Sequence, residues 1–124
     1  MIRCLIASLV LVSGHVFAHQ FTPTYPKFES SMAETISQTT MTLFNTRKDI
    51  RFYEISVFDG EWKPVEFAAE ARVLQVRFLE TKQFNVYVRN RDVPRVMYIC
   101  TTSKIEVQNQ TAALIATRIC SKVK

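Results

Sequence analysis

Hydrophobic and polar positions alternate along most of the chain, and the alternation is longest near its end. Over 95–107 one face carries Met97, Ile99, Thr101, Ser103, Ile105 and Val107, and over 113–123 one face carries Ala113, Ile115, Thr117, Ile119, Ser121 and Val123. The opposite faces are more polar, with Tyr98, Lys104 and Glu106 on the first segment and Arg118, Lys122 and Lys124 on the second. A period of two is the mark of a β-strand with one buried face. Pairing the two strands so that Cys100 faces Cys120 also sets Met97 against Val123, Thr101 against Ile119 and Ile105 against Ile115. A slip of one residue destroys that match. The register leaves 108–112 as the connection, an ordinary hairpin length. The sequence thus predicts a long hairpin, closed by a Cys100–Cys120 disulfide on its more polar face.

Upstream, the pattern predicts shorter strands. Residues 20–28 contain Pro23 and Pro26, which cannot donate to a ladder, so this reads as an edge or irregular first strand. A polar link over 29–34 precedes a strand over 39–45, with 45–49 as its turn. Residues 50–58 form the next strand, with Tyr53, Ile55 and Val57 on one face and Phe52, Glu54, Ser56 and Phe58 on the other. Asp59 and Gly60 form a turn dipeptide. A short strand interrupted at Pro64 is expected over 61–67, and a single helical turn over 67–71. The stretch 72–79 alternates with Leu74, Val76 and Phe78 together, residues 80–82 turn the chain, and 83–89 place Phe84, Val86 and Val88 inward. The expected total is seven or eight strands with short links and no long helix, the pattern of a small β-sandwich.

The start of the chain has a different character. Arg3 precedes an apolar run over 4–12, and Val16, Phe17 and Ala18 end in a small residue. That layout predicts a cleaved signal peptide over 1–18 and an exported product, periplasmic or extracellular. The apolar run is short for a membrane span, so no span is expected after cleavage. Cys4 lies before the run rather than at its end, which argues against a lipoprotein signal. Residues 19–124 are then expected to form one domain. They retain Cys100 and Cys120, an even number that suits one disulfide in an oxidising compartment. Loss of Arg3 lowers the formal charge from +5 to +4. That mild excess is scattered, with no basic block interleaved with aromatics, so nucleic acid is not the expected partner.

Little in the sequence points to catalysis. The exported part has one histidine, His19, which a chain terminus is expected to leave disordered. With one His and two bonded Cys, no zinc site of the usual kind is expected, nor any cofactor. Gly14 and Gly60 are the only glycines, too few for a phosphate loop. The sequon at Asn109 reads as a polar turn. Tyr98 and Cys100 match the Tyr-x-Cys of antibody domains, but no Cys lies between 19 and 99 to complete that bridge. Trp62 is then a packing residue or a surface anchor. Phe52 and Phe58 form either an exposed binding patch or part of an irregular core.

The order of features, Phe21 to Phe28, then Thr40 to Asn45, then Val76 to Val88, then Met97 to Cys100, resembles the N-terminal immunoglobulin-like domain of PapD-like periplasmic pilus chaperones. The resemblance implies an all-β, immunoglobulin-like β-sandwich and a protein partner bound as an extended strand. That family holds its client's carboxyl end with an Arg in the first strand and a Lys in the last, for which Lys27 and Lys122 are the nearest residues here. Its last strand offers alternating apolar residues to the client, for which Leu114 and Ala116, with Ala113, give a short version. The chain departs from the family in having Thr81 and Lys82 where Pro-Gly is usual, and no room for a second domain. Two function classes follow, neither enzymatic. One is a chaperone-like module that captures a partner at a strand edge. The other is a structural subunit of an appendage or a virion. The last strand lacks proline, so its outer edge is either open to a partner or covered by the first strand.

Overall fold

The computed structural model describes residues 18–105 and 116–124, and within them the chain is an immunoglobulin-like sandwich of two antiparallel sheets. The strands in order are β1 (Gln20–Thr22), β2 (Glu29–Ser30), β3 (Ile36–Phe44), β4 (Phe52–Phe58), β5 (Val73–Gln75), β6 (Thr81–Arg89), β7 (Tyr98–Lys104) and β8 (Arg118–Lys122), with a 3-10 turn at Val93–Arg95 before β7. In the first sheet β3 is central. β6 pairs along its whole length, from Ile36 opposite Arg89 to Phe44 opposite Thr81, while β1 and β2 pair with opposite ends of its other side. The second sheet runs β5-β4-β7-β8.

The period of two does what the sequence promised. Met41 and Leu43 of β3, Phe84, Val86 and Val88 of β6, Tyr53, Ile55 and Val57 of β4, and Ile99 of β7 all turn inward and are buried between the sheets. Each such side chain contributes roughly 1.5–3 kcal/mol by leaving water. Burial of one face fixes the register, since a slip would expose the whole set.

The departures from expectation lie where the chain leaves the ladders. The first strand is split, and Pro23 and Pro26 fall in the gap between β1 and β2. Residues 61–67 form no strand; only Phe58 and Pro64 bridge there, because Asp59 ties down a tight loop through bonds from the Glu61 and Lys63 amides. The helical turn expected at 67–71 is absent too. Ala68 instead exchanges two backbone hydrogen bonds with Tyr87, which extends the first sheet by one bridge. β5 ends at Gln75, so Leu74 and Val76 are buried but Phe78 is 42% exposed. The turn expected at 80–82 lies earlier, with Glu80 N–H donating to Arg77, and β6 starts at Thr81.

β7 and β8 adopt the register read from the sequence: Cys100 faces Cys120, Thr101 faces Ile119, and Val123 N–H donates to the carbonyl of Met97. The Ile105–Ile115 pair lies outside the described residues. The hydrogen-bonded positions are the odd ones, as the bond from Ser103 N–H to Thr117 shows. The cysteines therefore occupy a non-hydrogen-bonded pair, where opposing residues approach most closely. Their Cα atoms are 4.0 Å apart and the sulfurs are bonded. The bridge lies on the outer face of the sheet with Tyr98, Thr102 and Glu54, the more polar face as expected. It closes a loop with a sequence separation of 20. Replacing both cysteines by alanine should lower the unfolding free energy by about 3 kcal/mol, the chain-entropy value for a loop near this length. Urea denaturation checks this; a loss below about 1 kcal/mol would mean that packing alone holds the hairpin.

Candidate functional site

β8 is the outer strand of its sheet, and its backbone decides what can happen there. The odd residues point their N–H groups at β7. The even residues, Arg118, Cys120, Lys122 and Lys124, point theirs away from the sheet. Two of these four are taken. Lys122 N–H donates to the carbonyl of Thr24 at 3.0 Å and Lys124 N–H to that of Pro26 at 3.1 Å. Residues 24–26 have left β3 by then and cross to the other sheet. Proline has no N–H to give, but its carbonyl accepts normally, so this segment covers an edge as acceptor only. Upstream, no backbone partner meets Arg118 N–H or Cys120 N–H among the described residues. The first segment thus covers the edge over its last residues, and before them no backbone partner is present among the described residues.

The crossing brings the two candidate lysines toward one edge. Lys27 follows Pro26, whose carbonyl binds Lys124 N–H, and Lys122 stands two residues before Lys124. Both are exposed. The Lys124 ammonium lies 5.9 Å above the Tyr25 ring. Lys27 borders a cleft of about 310 Å³ together with Tyr25, Pro26, Glu29, Gln38 and Thr40. None of the three lysines makes an ion pair within the described residues. Lys124 and Tyr25 were not singled out from the sequence; the acceptor-only character of a Pro-containing strand was the available clue. Ala116 is exposed, and Leu114 lies outside the described residues.

The outer face beside this edge is aromatic. Trp62, at φ 63° and 49% exposed, stacks on Tyr98 with ring centres 4.1 Å apart and planes 1° from parallel. Phe58 tilts against Trp62 at 5.8 Å, and the Arg118 guanidinium sits 5.3 Å over Phe58. Trp62 is thus a surface anchor for Tyr98, and Phe58, half-buried like Tyr98, belongs to the same cluster. Phe52 is half-buried at the other end of β4, with the Arg51 guanidinium 6.0 Å from its ring.

At the opposite end of the sandwich a buried polar hub ties the first segment to both sheets. The Asn45 side-chain amide donates to the carbonyls of Ile50 and Val76, both at 2.8 Å, and its oxygen accepts from the Tyr53 hydroxyl and from Arg47 N–H. His19 packs on Tyr53 with ring centres 4.6 Å apart, and its Nε2 bonds the Thr101 hydroxyl at 2.7 Å. The sequence expectation of a disordered His19 was wrong: the ring is 2% exposed, because β1 pairs with β3 from Gln20 onward and draws the preceding residue into the core. Burial lowers its pKa from 6.5 to about 4; a hydrogen bond with Thr101 opposes this, and the Arg47 charge adds to it. Burial also pushes the Tyr53 hydroxyl up to about 12. No cluster of three His, Cys, Asp or Glu side chains able to hold a metal ion occurs among the described residues.

No family model matches the chain, and no curated protein resembles its sequence. Its fold has a counterpart among solved structures. The E. coli chaperone DraB superposes with a TM-score of 0.65 at 14% sequence identity, over 86% of this chain and 53% of DraB. The chain therefore spans about half the length of that protein, and what the two share is the fold.

His19 generates a prediction with a definite sign. Its folded pKa lies below its unfolded one, so its contribution is complete above about pH 6.5 and is lost as the pH falls toward about 4. For the chain from Ala18, where His19 is the only histidine, stability should decrease by on the order of 1–3 kcal/mol across that window. His19→Gln, which keeps a partner for Thr101, should flatten the profile. Urea midpoints at several pH values decide it, and equal slopes in the two proteins would contradict the assignment.

Proposed function

We propose that the chain is an exported, chaperone-like protein-binding module that pairs the outer edge of β8 with an extended segment of a partner. One observation carries the reading: the outward amides of Arg118 and Cys120 have no strand beside them among the described residues, while those of Lys122 and Lys124 are already capped. Strand addition supplies affinity through such backbone groups and selects by alternate side chains. The likeness of fold to the chaperone DraB supports it. The disulfide supports an oxidising compartment, periplasmic or extracellular, reached by way of the leader over 1–18.

In this reading a partner strand lies along 114–120. Leu114 and Ala116 present the alternating apolar surface, and Lys27 and Lys122 attract the partner's terminal carboxylate. Charge-assisted bonds to a carboxylate are about twice as strong as neutral ones, which makes a free chain end a natural register mark. The other reading, a structural subunit, predicts that the protein stays in a purified appendage or particle instead of leaving its client.

The test uses synthetic peptides with alternating apolar residues, each made with a free carboxylate and with a C-terminal amide, and reads binding by fluorescence anisotropy. Leu114→Lys with Ala116→Lys should weaken every peptide roughly tenfold or more, since charges on an edge oppose strand addition. Lys27→Ala with Lys122→Ala should weaken only the carboxylate forms. Unchanged binding in the first variant, with circular dichroism intact, would remove β8 as the binding edge.

A further inference from the structure

The end of the sandwich that holds the Asn45 hub also carries an apolar tip. The turn over 77–80 closes by a bond from Glu80 N–H to the Arg77 carbonyl, and Asn45 clamps it with its backbone. Leu79 N–H donates to the Asn45 carbonyl at 2.7 Å, and Asn45 N–H donates to that of Glu80 at 3.1 Å. Leu79 is held at φ 59°, a region bulky residues rarely enter. Its side chain is 59% exposed and that of Phe78 is 42% exposed. Ile105, 39% exposed, follows Lys104, whose partner Phe52 begins β4 at this same end. Phe78 and Leu79 are thus held outward by a clamped turn, Leu79 at an unfavourable φ, and Ile105 is exposed at the same end. Such conformations persist where the surroundings over-determine them, and they cluster at functional positions.

Positive charge outweighs negative at the tip. The exposed Lys48, Arg51 and Arg77, with Lys82, stand in the two loops and their flanks, against Asp49 and Glu80. Asp49 is engaged by Arg47, and Glu80 lies 3.9 Å from Lys82. The Lys48 ammonium sits 5.2 Å from the Phe78 ring centre. Apolar side chains ringed by cations match a surface that is oily inside and negative outside.

We propose that the end of the sandwich bearing Phe78 and Leu79 docks on an anionic lipid surface, with the two side chains inserted among the headgroups and the exposed Lys48 and Arg77 paired with lipid phosphates. Apolar burial and attraction to anionic lipid add, and neither alone gives firm attachment. The contact is independent of the β8 edge, which leaves that edge free.

Residues 18–124 contain every described residue of the hydrophobic core, so the sandwich is tested without the leader, which would bind lipid by itself. Flotation with phosphatidylglycerol vesicles should recover the protein. Phosphatidylcholine vesicles should not, and added salt should release it. Phe78→Ser with Leu79→Asn should reduce recovery roughly tenfold, Asn being well suited to positive φ. Lys48→Glu with Arg77→Glu should do the same. All four positions are exposed, and near-ultraviolet circular dichroism confirms the fold. Equal recovery on the two lipids, no recovery on either, or undiminished binding by the Phe78 and Leu79 variant would overturn the proposal. So would a dimer in light scattering that this variant dissociates, which would make the tip a contact between copies of the chain.

Discussion

An outer strand turns half of its backbone groups away from its sheet, and the handling of those groups at β8 organises this edge of the molecule. Covering them requires a neighbouring strand. The segment available is the first one, and Pro23 and Pro26 break it into β1, a crossing stretch and β2. β1 and β2 stay with β3, while the crossing stretch reaches β8 with two carbonyls. A split first strand thus serves both sheets and, among the described residues, covers only the end of the β8 edge. The remaining outward amides are a consequence of where the prolines fall.

Strand capture as proposed requires the β8 edge to keep its shape. Two devices hold it. The Cys100–Cys120 bridge fixes β8 to β7 beside the open positions, at a pair where the backbones already lie close. The Asn45 hub fixes the other end, joining the loops before β4 and before β6 to β4 itself through Tyr53. His19 then ties the start of the chain to Thr101 on β7, across the core. A buried Asn with all its bonds made is a rigid junction, since each broken bond would strand a polar group away from water. The same junction sets the exposed tip at Phe78 and Leu79, so rigidity at the hub and exposure at the tip have one cause.

The sandwich and its hairpin were legible because they depend on period and register, which a sequence carries openly. Tyr53, Ile55, Val57, Phe84, Val86 and Val88 announced their burial by alternation, and two cysteines agreed with the apolar pattern on one register. The loops were less legible. Residues 61–71 look like a strand and a helical turn locally, but the Asp59 side chain and the Ala68–Tyr87 bridge override those local preferences. His19 was misjudged because its burial depends on pairing between β1 and β3, a non-local event. Lys27 and Lys122 were named from a resemblance and stand as candidates, whereas the partial covering of β8 depends on two carbonyls, and carbonyls leave no trace in a sequence.

Amide hydrogen exchange along β8 tests the account most directly, because it reads the outward groups one by one. The inward amides of Ile119, Ser121 and Val123 should exchange slowly, bonded as they are to β7. Lys122 and Lys124 should also be slow, held by Thr24 and Pro26. Arg118 and Cys120 should exchange fast in the free protein and slow down when a strand-forming peptide is added. Protection of Arg118 and Cys120 equal to that of Ile119 and Ser121, in the free protein, would show that the edge is already covered and would contradict strand capture at β8.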